Sequence, residues 1–435
     1  MSEAGAGRLD AALALLIRVA GAGLVFALQV LLARLMPVDG YGGFVTLWTW
    51  MLALGSFAAL GFAESSLRFL PRYHLRGRRA PLRGYWRFGL GMVICVSGIM
   101  ALLAMLVALG IGAVDGPGLM VLLVALGLPF LAMEYYLEGV ARSFGWFRLA
   151  AVPVYIVRPI LISAFALGLS ASGVVLTLPV VGAVLISAMA MVSIGLALLI
   201  FMRMRKMVGG AASPVSRRQK RLWLMASLPL LVLSGLEDLT AYADVLLLSL
   251  LATPEEVGIY FAAARALALA GFVAYAMTLV AGRRFALDLA GRSRAQLQQS
   301  ILDSTRLTFW ATTIAVGATL VAGPLLLAAF GPDYAQGQGV LVVLGLGMVL
   351  RSMAGQASEV LIVAGRQREG LAVGLGVLAV TVGLCTVLVP AMGMVGAAIA
   401  GATAMGVRSL GLILVLWRVE GLRVVSLRLP VLKVG

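Results

Sequence analysis

The sequence predicts an all-α integral membrane protein with about 12 transmembrane helices in two six-helix lobes and with both termini in the cytoplasm. Three observations support this prediction. Of the 435 residues, 62% are apolar and 12% are charged, whereas about a quarter of the residues of a soluble domain are charged. Apolar segments long enough to cross a bilayer recur along the chain. Basic residues concentrate in every second connection between these segments.

Twelve apolar segments are each close to or above the roughly 20 residues that a membrane helix needs. Their approximate bounds are 11–35, 43–66, 88–112, 118–141, 148–169, 174–201, 223–251, 257–281, 303–329, 337–364, 370–390 and 393–417.

The connections between the segments alternate in charge. Six of them contain no Lys or Arg: 36–42, 112–117, 170–173, 252–256, 330–336 and 391–392. The intervening connections hold most of the basic residues, with the stretches 67–87 and 202–222 the most basic. Because Lys and Arg accumulate on the cytoplasmic side, this alternation predicts cytoplasmic termini.

The polar stretch 202–222 contains Gly, Ser and Pro and is typical of a linker. It separates an N-terminal lobe, 1–201, from a C-terminal lobe, 223–418, and a basic cytoplasmic tail follows at 419–435. An acidic-x-x-Gly-x-aromatic turn occurs at Asp39–Phe44 and again at Glu255–Tyr260. Both lobes would cross the membrane in the same direction, so we expect parallel repeats related by an axis along the membrane normal.

Composition also argues against several function classes. Cys95 and Cys385 lie inside apolar segments and form neither a disulfide framework nor a metal-ligand pattern. No nucleotide-binding or hydrolase motif surrounds the single histidine, His74, or any other residue, so we expect no cofactor and no metal. The net charge of +16 is explained by cytoplasmic loops, which are expected to attract membrane lipids of the anionic inner leaflet, and it does not require nucleic acid.

Apart from Arg148, which is the first residue of its segment, seven arginines fall inside the apolar segments, where a charge costs from about 2.5 to over 10 kcal/mol. Arg34 and Arg306 are near segment ends and can extend to the interface, whereas the depth of Arg18 is ambiguous. The other four lie near mid-depth, where they either face a watery cavity or form a structural pair: Arg158, Arg265, Arg351 and Arg408. Guanidinium groups in a shared cavity would suit phosphate, so the cargo is expected to be anionic.

Acidic residues occur in the same segments. Glu237, Asp238 and Asp244 lie on the seventh segment, with Asp238 and Asp244 the deeper two. Either could bind a coupling proton or cation, or could simply neutralise an arginine. Because six residues separate Asp238 from Asp244, the two do not share a helical face.

Several stretches, spread over the whole chain, resemble the polysaccharide transporters of the multidrug/oligosaccharidyl-lipid/polysaccharide (MOP) exporter superfamily, the Wzx-like oligosaccharide flippases. The first two stretches resemble the opening helices of that family, and 244–265 is similar to its seventh and eighth helices. The similar stretches are 31–44 (LLARLMPVDGYGGF), 60–73 (LGFAESSLRFLPRY), 244–265 (DVLLLSLLATPEEVGIYFAAAR), 330–337 (FGPDYAQG), 364–368 (AGRQR) and 393–400 (GMVGAAIA).

The resemblance implies two six-helix lobes in a V shape, as in MATE transporters, that opens alternately to each side of the membrane. It implies a flippase for undecaprenyl-pyrophosphate-linked oligosaccharide in the bacterial inner membrane, acting with a polysaccharide polymerase and export machinery, and possible coupling to H⁺ or Na⁺. In this family helices 1, 2, 7 and 8 line the cavity. By position this favours Arg18 and Arg265 as headgroup contacts and Asp238 and Asp244 as cavity acids. Twelve segments differ from the fourteen of the lipid II flippases, which argues against a peptidoglycan role.

Two other functions remain open at this point. A cation-coupled drug or metabolite antiporter of the related MATE type would take cationic cargo and favour an acidic cavity, which the mid-depth arginines oppose. A polysaccharide polymerase or ligase is typically built with a large outer loop rich in basic residues and histidine. The outer connections here are short and lack Lys and Arg, so the chain is expected not to be an enzyme.

Overall fold

The computed structural model describes residues 3–112, 116–208, 215–271 and 294–424, and every regular element within these ranges is a helix. The α-helices are α1 Glu3–Leu35, α2 Val38–Ala58, α3 Phe62–Leu75, α4 Arg79–Gly110, α5 Gly116–Ser143, α6 Phe147–Val152, α7 Arg158–Ala171, α8 Leu178–Val208, α9 Arg217–Leu251, α10 254–271, α11 Arg294–Val321, α12 Gly323–Phe330, α13 Gln338–Ser352, α14 Ala357–Val363 and α15 Gln367–Val415.

Eight of the described helices are long and apolar enough to cross a membrane, or up to 10 if each of two bent pairs is one span. The first pair, α2 and α3, bends by 43° where Leu60 and Gly61 adopt positive φ angles of 53° and 66°. The second pair, α11 and α12, bends by 58° before Pro324, which lacks the N–H that a continuous helix would use. The chain is thus an all-α multi-pass membrane protein, as the sequence predicts.

α15 is two antiparallel arms joined at Gly393, whose φ of 57° and ψ of −135° are not helical. A Cβ atom added to Gly411 would lie 2.9 Å from Val373, although 38 residues separate them. At a rise of about 1.5 Å per residue, a straight helix would keep these positions roughly 57 Å apart. The two arms match the predicted segments 370–390 and 393–417.

The predicted total of twelve spans and the cytoplasmic placement of the termini stay predictions. The eighth predicted segment, 257–281, extends beyond residue 271 into a range outside the described residues. Part of the linker, 209–214, and most of the tail also lie outside them.

The chain divides into two compact units, Met1–Asp238 and Leu239–Gly435. The border falls inside α9 and therefore after the predicted linker. α8 extends to Val208 and α9 begins at Arg217, so both ends of 202–222 are helical. Their Arg, Lys and Gln residues are good helix formers, which explains why the helices continue beyond the apolar segments. The predicted lobe boundaries remain a prediction.

The first part of α9 packs within the first unit. The Trp223 indole N–H donates to the Tyr73 hydroxyl at 2.9 Å, and the Ser227 and Ser65 hydroxyls are 2.7 Å apart. Trp223 is fully buried against Tyr85, with 5.3 Å between ring centroids. These buried polar and aromatic contacts attach α9 to α3 and α4.

Candidate functional site

The first unit holds a buried ion pair. Arg158, at the start of α7, donates to a carboxylate oxygen of Glu134 on α5 at 3.0 Å, and the side chains are 11% and 2% exposed. The Arg158 guanidinium also lies over the Trp48 ring, 4.9 Å from its centroid. The structure thus shows Arg158 paired with Glu134, while its role in cargo binding stays a prediction.

A π-helical turn at Pro153–Val157 orients this arginine. Pro159 has no N–H, so it leaves the carbonyl of Tyr155 without its usual helical partner. α1 approaches closely here, because a Cβ atom at Gly21 would lie 2.8 Å from that carbonyl oxygen. A glycine in α1 therefore lets it pack against the irregular turn.

Further charged contacts lie near the end of α5. Arg142 donates to Glu64 at 3.2 Å and lies 3.8 Å from Glu138. The Arg18 guanidinium is 5.9 Å from the centroid of the Tyr155 ring, and its charge acts on Glu138 together with those of Arg142 and Arg158. Arg142 and Arg158 thus each form ion pairs with carboxylates of α3 or α5.

The second unit brings Arg351 and Arg408 into one cavity of about 330 Å³. Arg351 is in the last turn of α13 and Arg408 is in the second arm of α15. Their positive charges repel each other. Glu359 also lines the cavity, but none of the ion pairs among described residues includes Arg351, Arg408 or Glu359.

Hydroxyl groups line the same cavity. The side-chain oxygens of Thr308, Thr312 and Ser409 are buried and have no hydrogen-bond partner in the part of the chain that the structure describes. A buried hydroxyl without a partner costs about 1–3 kcal/mol. Two guanidinium groups and three available hydroxyls form a set of donors suited to the oxygens of a phosphate or carboxylate.

Asp244 occupies a different position in the second unit. The Tyr260 hydroxyl on α10 donates to one carboxylate oxygen at 2.5 Å, and the Val245 backbone N–H donates to the other at 2.8 Å. A Cβ atom at Gly401 would lie 3.6 Å from both Asp244 and Tyr260. The carboxylate is therefore held between α9, α10 and the second arm of α15.

The other predicted site residues have separate surroundings. Arg265 is half-buried on α10, with its guanidinium 4.4 Å from the centroid of the Phe261 ring. Asp238 lies near Ser56 in the first unit, and Glu237 is exposed. The described geometry thus places Arg351 and Arg408 in one cavity and gives Arg158 and Asp244 partners of their own.

The threonines of the cavity are the residues that sequence analysis missed. Thr308 and Thr312 line the cavity, and together with Thr305 they are spaced three and four residues apart, which places all three on one face of α11. Three β-branched hydroxyl residues on one face of a membrane helix are a detectable pattern. No spacing rule, however, links α11 to Arg351 or Arg408.

Comparison with protein families identifies the chain at the family level. The family model described as "Polysaccharide biosynthesis protein" matches residues 10–281. No curated protein sequence matches the chain.

Solved structures of the MOP superfamily share the fold at low sequence identity. A multidrug resistance MATE family transporter, solved in an inward-facing conformation, is 15% identical with a TM-score of 0.72, covering 94% of this chain and 98% of that one. The lipid II flippase MurJ is 14% identical with a TM-score of 0.70, covering 94% and 87%. A MOP superfamily transporter from Pyrococcus furiosus, whose binding pocket is described as having reverse polarity, is 16% identical with a TM-score of 0.63, covering 95% of each chain.

These matches are to transporters and flippases, and the family model covers more than half of the sequence. The chain therefore belongs to the polysaccharide biosynthesis protein family and has the fold of the MOP-superfamily transporters.

Proposed function

We propose that this protein is a flippase that moves undecaprenyl-pyrophosphate-linked oligosaccharide from the cytoplasmic to the periplasmic leaflet of the bacterial inner membrane. The observation that carries the proposal is the cavity of Arg351 and Arg408, where two guanidinium groups lie beside hydroxyls without partners. Family membership and the shared fold with a lipid II flippase support the same class of cargo.

The chemistry of the cavity fits a pyrophosphate headgroup. A guanidinium binds phosphate oxygens through two parallel hydrogen bonds, and its charge does not titrate in the physiological range. Two such groups held near each other repel in the absence of an anion. An anion between them relieves this repulsion and supplies acceptors for Thr308, Thr312 and Ser409.

Membrane voltage would favour export of such a headgroup. With the cell interior negative, outward movement of one negative charge gains about 2.3 kcal/mol per 100 mV. Transport by alternating access then needs no nucleotide hydrolysis. Coupling to H⁺ or Na⁺ would add to this driving force, and Asp244 is our candidate for the coupling residue because it is held between three helices.

The remaining arginines have different proposed roles. Arg18 and Arg265 each lie beside an aromatic ring, and we assign them contacts with the headgroup at other stages of transport. Arg158 is held by Glu134 and would need to leave that pair to bind cargo, so we assign it a positioning role. Asp238 and Glu237 are secondary candidates for coupling. A polysaccharide polymerase and export machinery would use the delivered oligosaccharide.

Deletion and complementation test the proposal. Deletion should remove surface polysaccharide and cause a lipid-linked glycan to accumulate on the cytoplasmic side, and the structure of that glycan names the cargo. Arg351→Gln with Arg408→Gln should fail to complement at normal protein level. Arg418→Gln, an exposed arginine outside the cavity, is the matched control and should complement. Full polysaccharide production by the double variant would disprove the anion-site assignment.

A cation-coupled multidrug or metabolite antiporter is the second candidate, favoured by the shared fold with a MATE multidrug transporter. A drug antiporter would lower the susceptibility of cells to cationic drugs, and a flippase would not. A deletion strain that lacks polysaccharide and has unchanged drug susceptibility would support the flippase and exclude the antiporter.

A further inference from the structure

A second basic cavity, of about 320 Å³, lies in the first unit where α3 ends and α9 begins. Arg72, Arg76 and Arg78 line it from the end of α3 and the turn that follows, and Arg218 lines it from the first turn of α9. Phe69 and Tyr73 form part of its wall. This cavity is independent of the arginine pair assigned to the cargo.

The four arginines have no carboxylate to neutralise them nearby in sequence. No Asp or Glu occurs in residues 65–114 or in residues 139–236. All four side chains are exposed, and none forms an ion pair within the described ranges. Four like charges around one cavity repel each other, so an anion bound there would stabilise this end of the unit.

The walls of the cavity are fixed by contacts beneath it. Tyr73 accepts the hydrogen bond of the buried Trp223 indole, and further along both helices the hydroxyls of Ser65 and Ser227 lie 2.7 Å apart. Both contacts join α3 to α9. The arginines above them therefore extend from two helices whose spacing is set by buried polar bonds, which preorganises the cavity.

The cavity lies at a border between apolar and polar surface. Three membrane-span candidates end there, since α3 ends at Leu75, α4 begins at Arg79 and α9 begins at Arg217. Leu75 and Leu222, beside the arginines, are 85% and 53% exposed. A ligand with an anionic group next to hydrocarbon matches this combination, whereas a free anion would use the arginines alone.

We propose that this cavity binds the phosphate headgroup of an anionic phospholipid of the surrounding leaflet. The guanidinium groups of Arg72, Arg76, Arg78 and Arg218 hold the phosphodiester, and the acyl chains lie along the exposed apolar surface of Leu75 and Leu222. The bound lipid bridges α3 and α9 at the membrane surface. Clusters of basic residues at the cytoplasmic ends of spans attract anionic lipid in this way.

Native mass spectrometry of the purified full chain tests the proposal. The protein is freed of lipid in detergent and titrated with phosphatidylglycerol or phosphatidylcholine. The wild type should retain phosphatidylglycerol in preference to phosphatidylcholine. Arg72→Gln with Arg76→Gln and Arg218→Gln should weaken phosphatidylglycerol binding on the order of 100-fold.

A control variant removes the same number of positive charges from arginines outside the cavity. Arg87, Arg217 and Arg221 are exposed and do not line it, so their triple Gln variant should keep the affinity of the wild type. Equal loss in both triple variants would mean nonspecific surface attraction and would overturn the proposal. If the first triple variant does not elute as a single species in size-exclusion chromatography, the same comparison is made with two single variants. Arg76→Gln then replaces the cavity variant, and Arg221→Gln replaces the control.

Inorganic phosphate separates a lipid from a soluble anion. Phosphate at the same concentration as phosphatidylglycerol should neither compete with the lipid nor raise the thermal stability of the protein in detergent. Competition by phosphate at equal concentration would show a site for soluble anions and would contradict the lipid assignment. Unchanged phosphatidylglycerol retention in the Arg72, Arg76 and Arg218 variant would exclude the cavity as the binding site.

Discussion

Arg158 and Glu134 form an ion pair of 3.0 Å between α7 and α5, inside the apolar region of the first unit. Arg351 and Arg408 have no such partner among the described residues of the second unit, although both lie in comparable apolar segments. Intramembrane arginines in this chain thus have two kinds of environment. This difference supports our proposal that Arg158 has a positioning role and that Arg351 and Arg408 bind the cargo.

The ion pair leads to a prediction about stability. Arg158→Met should leave Glu134 as a buried charge without a partner and lower the free energy of unfolding by about 3–5 kcal/mol. Arg158→Met combined with Glu134→Leu should recover most of that loss, because no buried charge remains. Retention of monomeric protein after heating in detergent measures the effect. A double variant as unstable as the single one would contradict the structural role.

The cavity hydroxyls predict opposite effects on stability and transport. Thr308→Val and Thr312→Val remove hydroxyls that have no described partner, so the double variant should be more stable by about 1–3 kcal/mol per site and should bind the headgroup less well.

Thr319→Val is the control for these two substitutions. The Thr319 hydroxyl donates to the Ala315 carbonyl at 2.9 Å, so its removal should cost about 0.5–1.5 kcal/mol. Thermal stability and polysaccharide complementation are measured in parallel. Lower stability of the Thr308 and Thr312 variant would mean that these hydroxyls already have partners.

If Asp244 is the coupling residue, replacing it should remove the dependence of transport on an H⁺ or Na⁺ gradient. Asp244→Asn should abolish any effect of an imposed H⁺ or Na⁺ gradient on flipping in proteoliposomes, because the amide carries no charge. Glu255→Gln, which neutralises an exposed carboxylate at the start of α10, should keep that effect. A gradient response that persists in Asp244→Asn would assign coupling to another residue.

The backbone conformation of Gly393 predicts that any side chain at this position destabilises the protein. Its φ of 57° and ψ of −135° are strained for any residue with a Cβ atom, and that atom would collide with the Glu256 carboxylate, which accepts the Met394 N–H at 3.1 Å. Gly393→Ala should destabilise the protein by about 1–3 kcal/mol.

Gly383→Ala is the matched control on the same helix. It places a Cβ atom in open space and should be neutral or stabilising by about 0.5–1 kcal/mol. The two variants are compared by the fraction that remains monomeric after heating. Equal stability would show that the hairpin tolerates a side chain at Gly393.

Some of the fold could be predicted because it depends on local properties. Hydropathy and charge alternation predict an all-helical multi-pass protein. They also predict a break between 390 and 393, where the structure has the Gly393 turn. Polarity predicts a linker at 202–222, and this stays a prediction. The structure adds that α8 and α9 extend into both ends of the stretch, because Arg, Lys and Gln favour helix outside the membrane as well.

The environment of each intramembrane charge could not be predicted from local properties. Arg158 and Arg351 both occur at mid-depth in apolar segments, and nothing in their neighbouring residues distinguishes them. Glu134 is 24 residues from Arg158 in sequence, and Arg408 is 57 residues from Arg351. Residues so far apart in sequence are brought together only by the packing of helices against each other.

The sequence by itself determined that this protein crosses a membrane repeatedly as helices, because backbone polar groups in lipid must be satisfied within each segment and apolar length is a local quantity. It also determined which arginines are costly to bury. Only the tertiary structure decided which of them are neutralised, since this depends on which helices pack together. That packing joins Arg158 to Glu134 and leaves Arg351 and Arg408 facing one cavity.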